Sequence, residues 1–240
     1  MKKLFLYCAW LIISILGFNC LFYAQNKVGK SPKDVIQNQT PKRTPDFADR
    51  MQNPLFVNQI ASAMWTLTHD YSDYKRSDEV MKTVLKYLQA FEKNNKGESK
   101  DLDQLGGEKA LKDKLANWLT DEDQSIRAFS AVMLGVSGDK SYAPKLANLL
   151  QERKYKESDL IHYDRGRAAM ALGMVDAKEY TQNLVDLLKS SNEFDRAGSA
   201  IGLGYLKAKD QADMVKKLLK DKDENVRQAA EGSLKLMGVN

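Results

Sequence analysis

From Glu108 to the C-terminus, the apolar residues fall into two figures that alternate four times. The first is an apolar residue followed three and four positions later by two more: Leu115, Trp118, Leu119; Leu146, Leu149, Leu150; Leu184, Leu187, Leu188; Val215, Leu218, Leu219. That spacing places the three on one face of a helix, here termed A. The second figure is an arginine with alanines behind it and a leucine seven positions on: Arg127 to Leu134, Arg165 to Leu172, Arg196 to Leu203 and Arg227 to Leu234. It predicts a helix B. The arginines stand 38, 31 and 31 residues apart, and a single insertion of seven residues between Leu150 and Arg165 explains the irregular step.

Each part has a physical task. Helix A buries an apolar stripe, while Ala128 and Ala131, Ala168 and Ala169, or Ala197 and Ala200 let helix B approach its neighbour closely. Four residues before the arginine stand Asp123, Asn192 and Asp223, predicted N-caps of helix B; the second copy has Ile161 there and is expected to start from Asp159 or Asp164. Gly135, Gly173 and Gly204 directly follow the leucine and read as left-handed C-caps, whereas the fourth copy has Lys235 there and Gly238 slightly later. One helix pair cannot hide its apolar faces alone, so four pairs stacked in register are the expected outcome.

Ahead of the repeats, a helical pattern runs from Leu55 to about Thr68, with Trp65, like Trp118, at a packing position. A second helix, N-capped by Ser77 or Asp78, carries Val80, Met81, Val84, Leu85, Leu88 and Phe91 on one face. The two predict a hairpin capping the stack, and Asn94 to Gly107 reads as a loop. Leu88 lies 31 residues before Leu119, but Lys96 and Asp103 hold the places of the arginine and the leucine, which argues against a fifth repeat.

The run Asp121 to Gly135 resembles the HEAT repeat, particularly the short variety of bacterial HEAT-like proteins, and Lys222 to Leu234 matches it equally well. Copies two and three share the arginine, alanines, leucine and glycine, but carry Asp164 and Asp195 where an aliphatic residue usually precedes the arginine. The resemblance covers residues 108–240 and implies an all-α fold: an α-solenoid of about four HEAT-like helix pairs led by the N-terminal hairpin. It also implies that the recurrent arginine pairs with acidic groups of adjacent turns and repeats.

Lys2 and Lys3 before the apolar run Leu4 to Phe18 have the layout of a secretory signal peptide, with cleavage expected after Ala24. A second reading attaches the chain to the membrane through a retained leader or an acylated Cys20. Residues 25–54, with Pro32, Pro41, Pro45 and Pro54, read as a flexible linker, giving domains at 1–24, 25–54, 55–107 and 108–240. Export to the periplasm or cell envelope is therefore expected. The formal charge of +5 arises from 37 basic and 32 acidic residues mixed along the chain, so no footprint for nucleic acid emerges.

Both cysteines, Cys8 and Cys20, lie in the leader, and only His69 and His162 supply imidazoles. We therefore expect no cofactor, no metal site and no catalytic group. The expected function is a non-catalytic scaffold or adaptor of the bacterial envelope, binding a protein through the helix-B surface and the inserted loop at 151–164. Candidate binding residues are Arg153, Tyr155, His162 and Tyr163 of the insertion and the recurrent Arg127, Arg165, Arg196 and Arg227. The competing expectations are a lyase-like enzyme or small-ligand accessory protein, and a structural envelope component that self-assembles through its terminal repeats.

Overall fold

A computed structural model of the chain describes residues 50, 53–69, 74–95, 100–151 and 162–239. The predicted leader, most of the linker and residues 152–161 of the insertion lie outside the described residues. Within them, α1 (Pro54–His69) and α2 (Tyr74–Asn95) precede a short α3 (Asp101–Gln104). The repeats then follow as A and B partners: α4 (Gly107–Trp118) with α5 (Gln124–Ser137), α6 (Ala143–Ala147) with α7 (Asp164–Met174), α8 (Thr181–Leu187) with α9 (Glu193–Tyr205), and α10 (Ala212–Lys217) with α11 (Glu224–Met237). The fold is an all-α solenoid. Helices B lie side by side in the order α5, α7, α9, α11, each packed against the next.

The first residue of each A-helix stripe, Leu115, Leu146, Leu184 or Val215, is fully enclosed, while Trp118, Leu150 and Leu187 are half-buried and Leu219 is exposed. In the last three copies, the A arm is not one continuous helix but a short α segment entered through a 3-10 turn, Lys140–Tyr142, Lys178–Tyr180 or Lys209–Gln211. The expected N-caps form, since Asp123, Asn192 and Asp223 accept from the backbone N–H of Ser125, Phe194 and Val226. In the second copy, neither expected aspartate is the N-cap. Tyr163 holds that position without a side-chain capping bond, and Asp164 is the first helical residue.

The glycine after the leucine also has a different task from the one its position suggested. Gly135, Gly173 and Gly204 are helical, and the left-handed residue falls three positions later, at Gly138 (φ 68°), Asp176 (φ 55°), Lys207 (φ 51°) and Gly238 (φ 69°). The helical glycines permit contact between neighbouring B helices: a Cβ at Gly173 would lie 2.2 Å from the Gly202 carbonyl oxygen. At Gly198, a Cβ would sit 2.1 Å from the Gly166 oxygen. Backbone meets backbone there, which no side chain larger than hydrogen allows.

The N-terminal helices do not form a simple capping hairpin. Phe56, Ile60, Ala63, Met64 and Leu67 of α1 are buried, and α1 packs far more on α5 than on α2. Its direction is opposite to that of helices B: Arg50, just before α1, donates to Val136 O and Met174 O at the C-terminal ends of α5 and α7, while Ser62 meets Arg167 near the start of α7. Arg50, assigned from sequence to the flexible linker, thereby satisfies carbonyls that a helix end leaves without partners.

Helix α2 begins earlier than expected, at Tyr74, with Ser77 buried inside it. The expected loop after Asn94 contains α3, pinned by buried Leu102 and by Tyr87 Oη donating to Leu105 O at 2.7 Å. Trp65, expected to pack, is 60% exposed on α1; Trp118 does pack against the core.

Candidate functional site

Two strips of helix B follow from the repeat register, and they have opposite fates. Positions zero, four and eight after the arginine face the next repeat: Arg127, Ala131, Gly135; Arg165, Ala169, Gly173; Arg196, Ala200, Gly204; and Arg227, Glu231, Lys235. Positions one, five and nine form the inner strip: Ala128, Val132, Val136; Gly166, Met170, Met174; Ala197, Ile201, Tyr205; and Gln228, Gly232, Leu236.

The first strip is a ladder of ion pairs. Arg127 Nε donates to Asp164 Oδ2 at 2.7 Å, with its Nη1 on the carbonyl oxygens of Asp121 and Glu122. Arg165 Nε donates to Asp195 Oδ2 at 2.8 Å, and Arg196 grips both oxygens of Asp221 through Nε and Nη2, each at 2.8 Å. The bidentate pair with Arg196 holds the Asp221 carboxyl below its ordinary range and raises the guanidinium in turn. Asp164 and Asp195, where copies two and three depart from the usual aliphatic residue, are thus the acceptors for the arginine one repeat earlier. In copy four that position is Val226, and the turn residue Asp221 takes over.

This ladder also shows what the N-terminal segment does. Arg76 of α2 pairs with Asp121, the turn residue equivalent to Asp221, and so takes the place of a preceding repeat's arginine. The sequence reading missed Arg76 because it looked for the arginine 31 residues before Arg127, where Lys96 stands. At the other end, Arg227 Nη1 reaches Asp221 O and Lys222 O, and no carboxylate among the described residues pairs with its guanidinium.

Of the proposed binding residues, Arg127, Arg165 and Arg196 are therefore engaged between repeats, buried or nearly so, and are not presented to a partner. Tyr163 is buried too: its hydroxyl lies 2.8 Å from Ser125 Oγ and its ring meets Phe194 edge-on at 6.0 Å, joining three successive repeats. His162 is half-buried, with its carbonyl accepting from Asn192 Nδ2 at 2.6 Å. Arg153 and Tyr155 lie outside the described residues. The structure brings Arg127 and Tyr163 together at the seam between the first two repeats, places Arg165 at the next seam and leaves Arg227 at the far end.

The inner strip is graded along the stack. In α5 and α7 it is buried throughout: α1 packs on α5, Arg50 and Ser62 reach the two ends of α7, and Gly166 lies against the Phe194 carbonyl of α9. On α9, Ala197, Ile201 and Tyr205 are partly exposed, with Tyr205 reached by Phe56 at 5.9 Å between ring centroids. On α11, Gln228 and Gly232 are exposed and Leu236 half-buried. The open half of the strip carries no charge. It is a shallow, neutral surface, suited to complementary apolar contact rather than to bond-making chemistry. Among the described residues, no three His, Cys, Asp or Glu side chains gather as metal ligands, and no helix is long and apolar enough to cross a membrane.

Paired short helices, a shared arginine register and side-by-side B helices define an α-solenoid of HEAT-like pairs. Consistent with this, residues 158–235 match the family model described as HEAT repeats, which spans α7 to most of α11. No curated protein matches the chain.

Proposed function

We propose that the chain is a non-catalytic protein-binding scaffold, exported to the bacterial cell envelope, whose partner seats on the inner faces of α9 and α11. HEAT arrays commonly serve protein interaction, and stacked repeats build extended inner surfaces for that purpose. The observation that carries the reading is the uncharged, partly open strip Ala197, Ile201, Gln228, Gly232 and Leu236, which no other described helix covers, whereas α1 packs on α5 and reaches α7 through Ser62. Export and envelope residence rest on the apolar leader. The insertion at 151–164 adds specificity to that contact.

A photo-crosslinking amino acid placed at Gln228, compared in intact cells with one at exposed Lys189 after α8, tests the assignment. A discrete adduct from position 228 and none from 189 is expected. Adducts of equal pattern from both positions, or none from 228, would remove the inner strip from the account.

A further inference from the structure

Arg167 does not belong to the ladder. It projects from α7 beneath α1, where its Nη2 donates to Ser62 Oγ at 2.7 Å. Burial pulls it below the ordinary arginine value, yet a guanidinium keeps its proton in any protein interior. No carboxylate among the described residues pairs with it. Arg127, Arg165 and Arg196 of the ladder, by contrast, each meet an aspartate. A half-buried cation is thus matched to a neutral hydroxyl, which is a weaker acceptor than a carboxylate.

The helix that supplies that hydroxyl is unusual as well. α1 contains no Asp, Glu, Lys or Arg from Pro54 to His69. It presents Phe56, Ile60, Ala63, Met64 and Leu67 to the stack at helical spacing, the way an amphipathic helix enters a groove. Ser62 falls among these anchors and bonds to α7. The groove supplies a cation and its occupant supplies no anion.

We propose that the inner groove over α5 and α7 is a helix-binding site held in cis by α1, and that its exchange partner is an apolar protein helix with Asp or Glu at the place of Ser62. This rests on the scaffold reading and deepens it: the open strip on α9 and α11 is the approach, and displacement of α1 extends the contact over the first two repeats. A tethered helix competes at an effective concentration in the millimolar range, so the incoming helix must gain what α1 lacks. The Arg167–carboxylate pair is that gain.

The probe is a labelled synthetic peptide of residues 53–69, native or carrying Ser62→Asp, titrated by fluorescence anisotropy into the full-length protein and into full-length Ile60→Ala, whose α1 is loosened. The Ser62→Asp peptide is expected to bind roughly tenfold tighter than the native peptide, since a charge-assisted bond replaces a neutral one. Arg167→Gln should level the two peptides, and Arg167→Lys should restore part of the difference, with circular dichroism confirming that each variant is folded.

Equal binding of both peptides would mean that a carboxylate at position 62 adds nothing, and would overturn the proposal. So would a difference that survives in Arg167→Gln. Binding of neither peptide to Ile60→Ala would make α1 a permanent part of the stack. In that event the crosslinking at Gln228 still judges the scaffold reading, because α11 does not lie under α1.

Discussion

The ladder makes a quantitative prediction, because each rung sets an arginine on an aspartate and the rungs differ in burial. In Asp164→Ala, Arg127 keeps Asp121 O and Glu122 O but loses its only carboxylate, at a site where the two side chains are 6% and 1% exposed. Removing one member of a buried pair costs about 3–5 kcal/mol, and the two surviving carbonyl bonds place this case near the lower end, about 3 kcal/mol. The Arg76–Asp121 rung has its arginine 46% exposed, so Arg76→Ala should cost no more than about 1 kcal/mol. Replacing both members together, Arg127→Met with Asp164→Leu, removes the stranded charge and should be much milder than Asp164→Ala alone. Urea unfolding followed by far-ultraviolet circular dichroism reads all three. With a slope of about 2–3 kcal/mol per molar, Asp164→Ala should lower the midpoint by about 1 M at unchanged slope. Equal costs for Asp164→Ala and Arg76→Ala would refute the reasoning, as would a double replacement as damaging as the single one.

Other positions follow from the same coordinates. Gly198→Ala places a Cβ 2.1 Å from the Gly166 oxygen and should destabilise by about 3 kcal/mol, whereas Gly232→Ala enters open space in mid-helix and should stabilise by about 0.5–1 kcal/mol; thermal melts of both variants check the contrast. Lys207, at φ 51°, holds a backbone conformation that costs an L residue about 1 kcal/mol, so Lys207→Gly should raise the melting temperature. Because Arg196 lowers the Asp221 pKa, the unfolded carboxyl, at about 3.9, takes up its proton first as pH falls. The contribution of this pair is therefore complete above that value and lost below it. Asp221→Asn should flatten the acid limb of a stability–pH curve, and an unchanged limb would exclude the pair as its source.

What the sequence made legible was the part that repeats. The A stripe, the arginine register and the N-caps at Asp123, Asn192 and Asp223 each rest on contacts within one helix pair, where spacing and residue type suffice. The errors fall on contacts between pairs. A glycine following a leucine near a helix end looks like a C-cap, and only the neighbouring helix 2.2 Å from its missing Cβ reveals that Gly173 serves close packing. Asp164 and Asp195 were visible as departures from the repeat, but their arginine partners lie 37 and 30 residues away, so the departure carried no direction. The position of α1 was the least legible: an uncharged helical stretch states that it will be buried, not against what.

The two ends of the stack are not alike, and the difference bears on self-assembly. In the first three repeats, the face toward the next B helix reads arginine, alanine, glycine, and the small residues admit the neighbour. In α11, the same face reads Arg227, Glu231, Lys235, with Glu231 and Lys235 exposed. A further pair stacked in register would bury both charged side chains at positions that hold alanine and glycine elsewhere, where a Cβ at Gly204 already lies 2.8 Å from Ser233 Cα. The opposite end is closed by Arg76 on Asp121. Head-to-tail growth therefore has an obstructed donor end and an occupied acceptor end, whereas the inner strip remains open on α9 and α11. A partner approaching that strip would displace water from uncharged side chains and break none of the ladder's ion pairs.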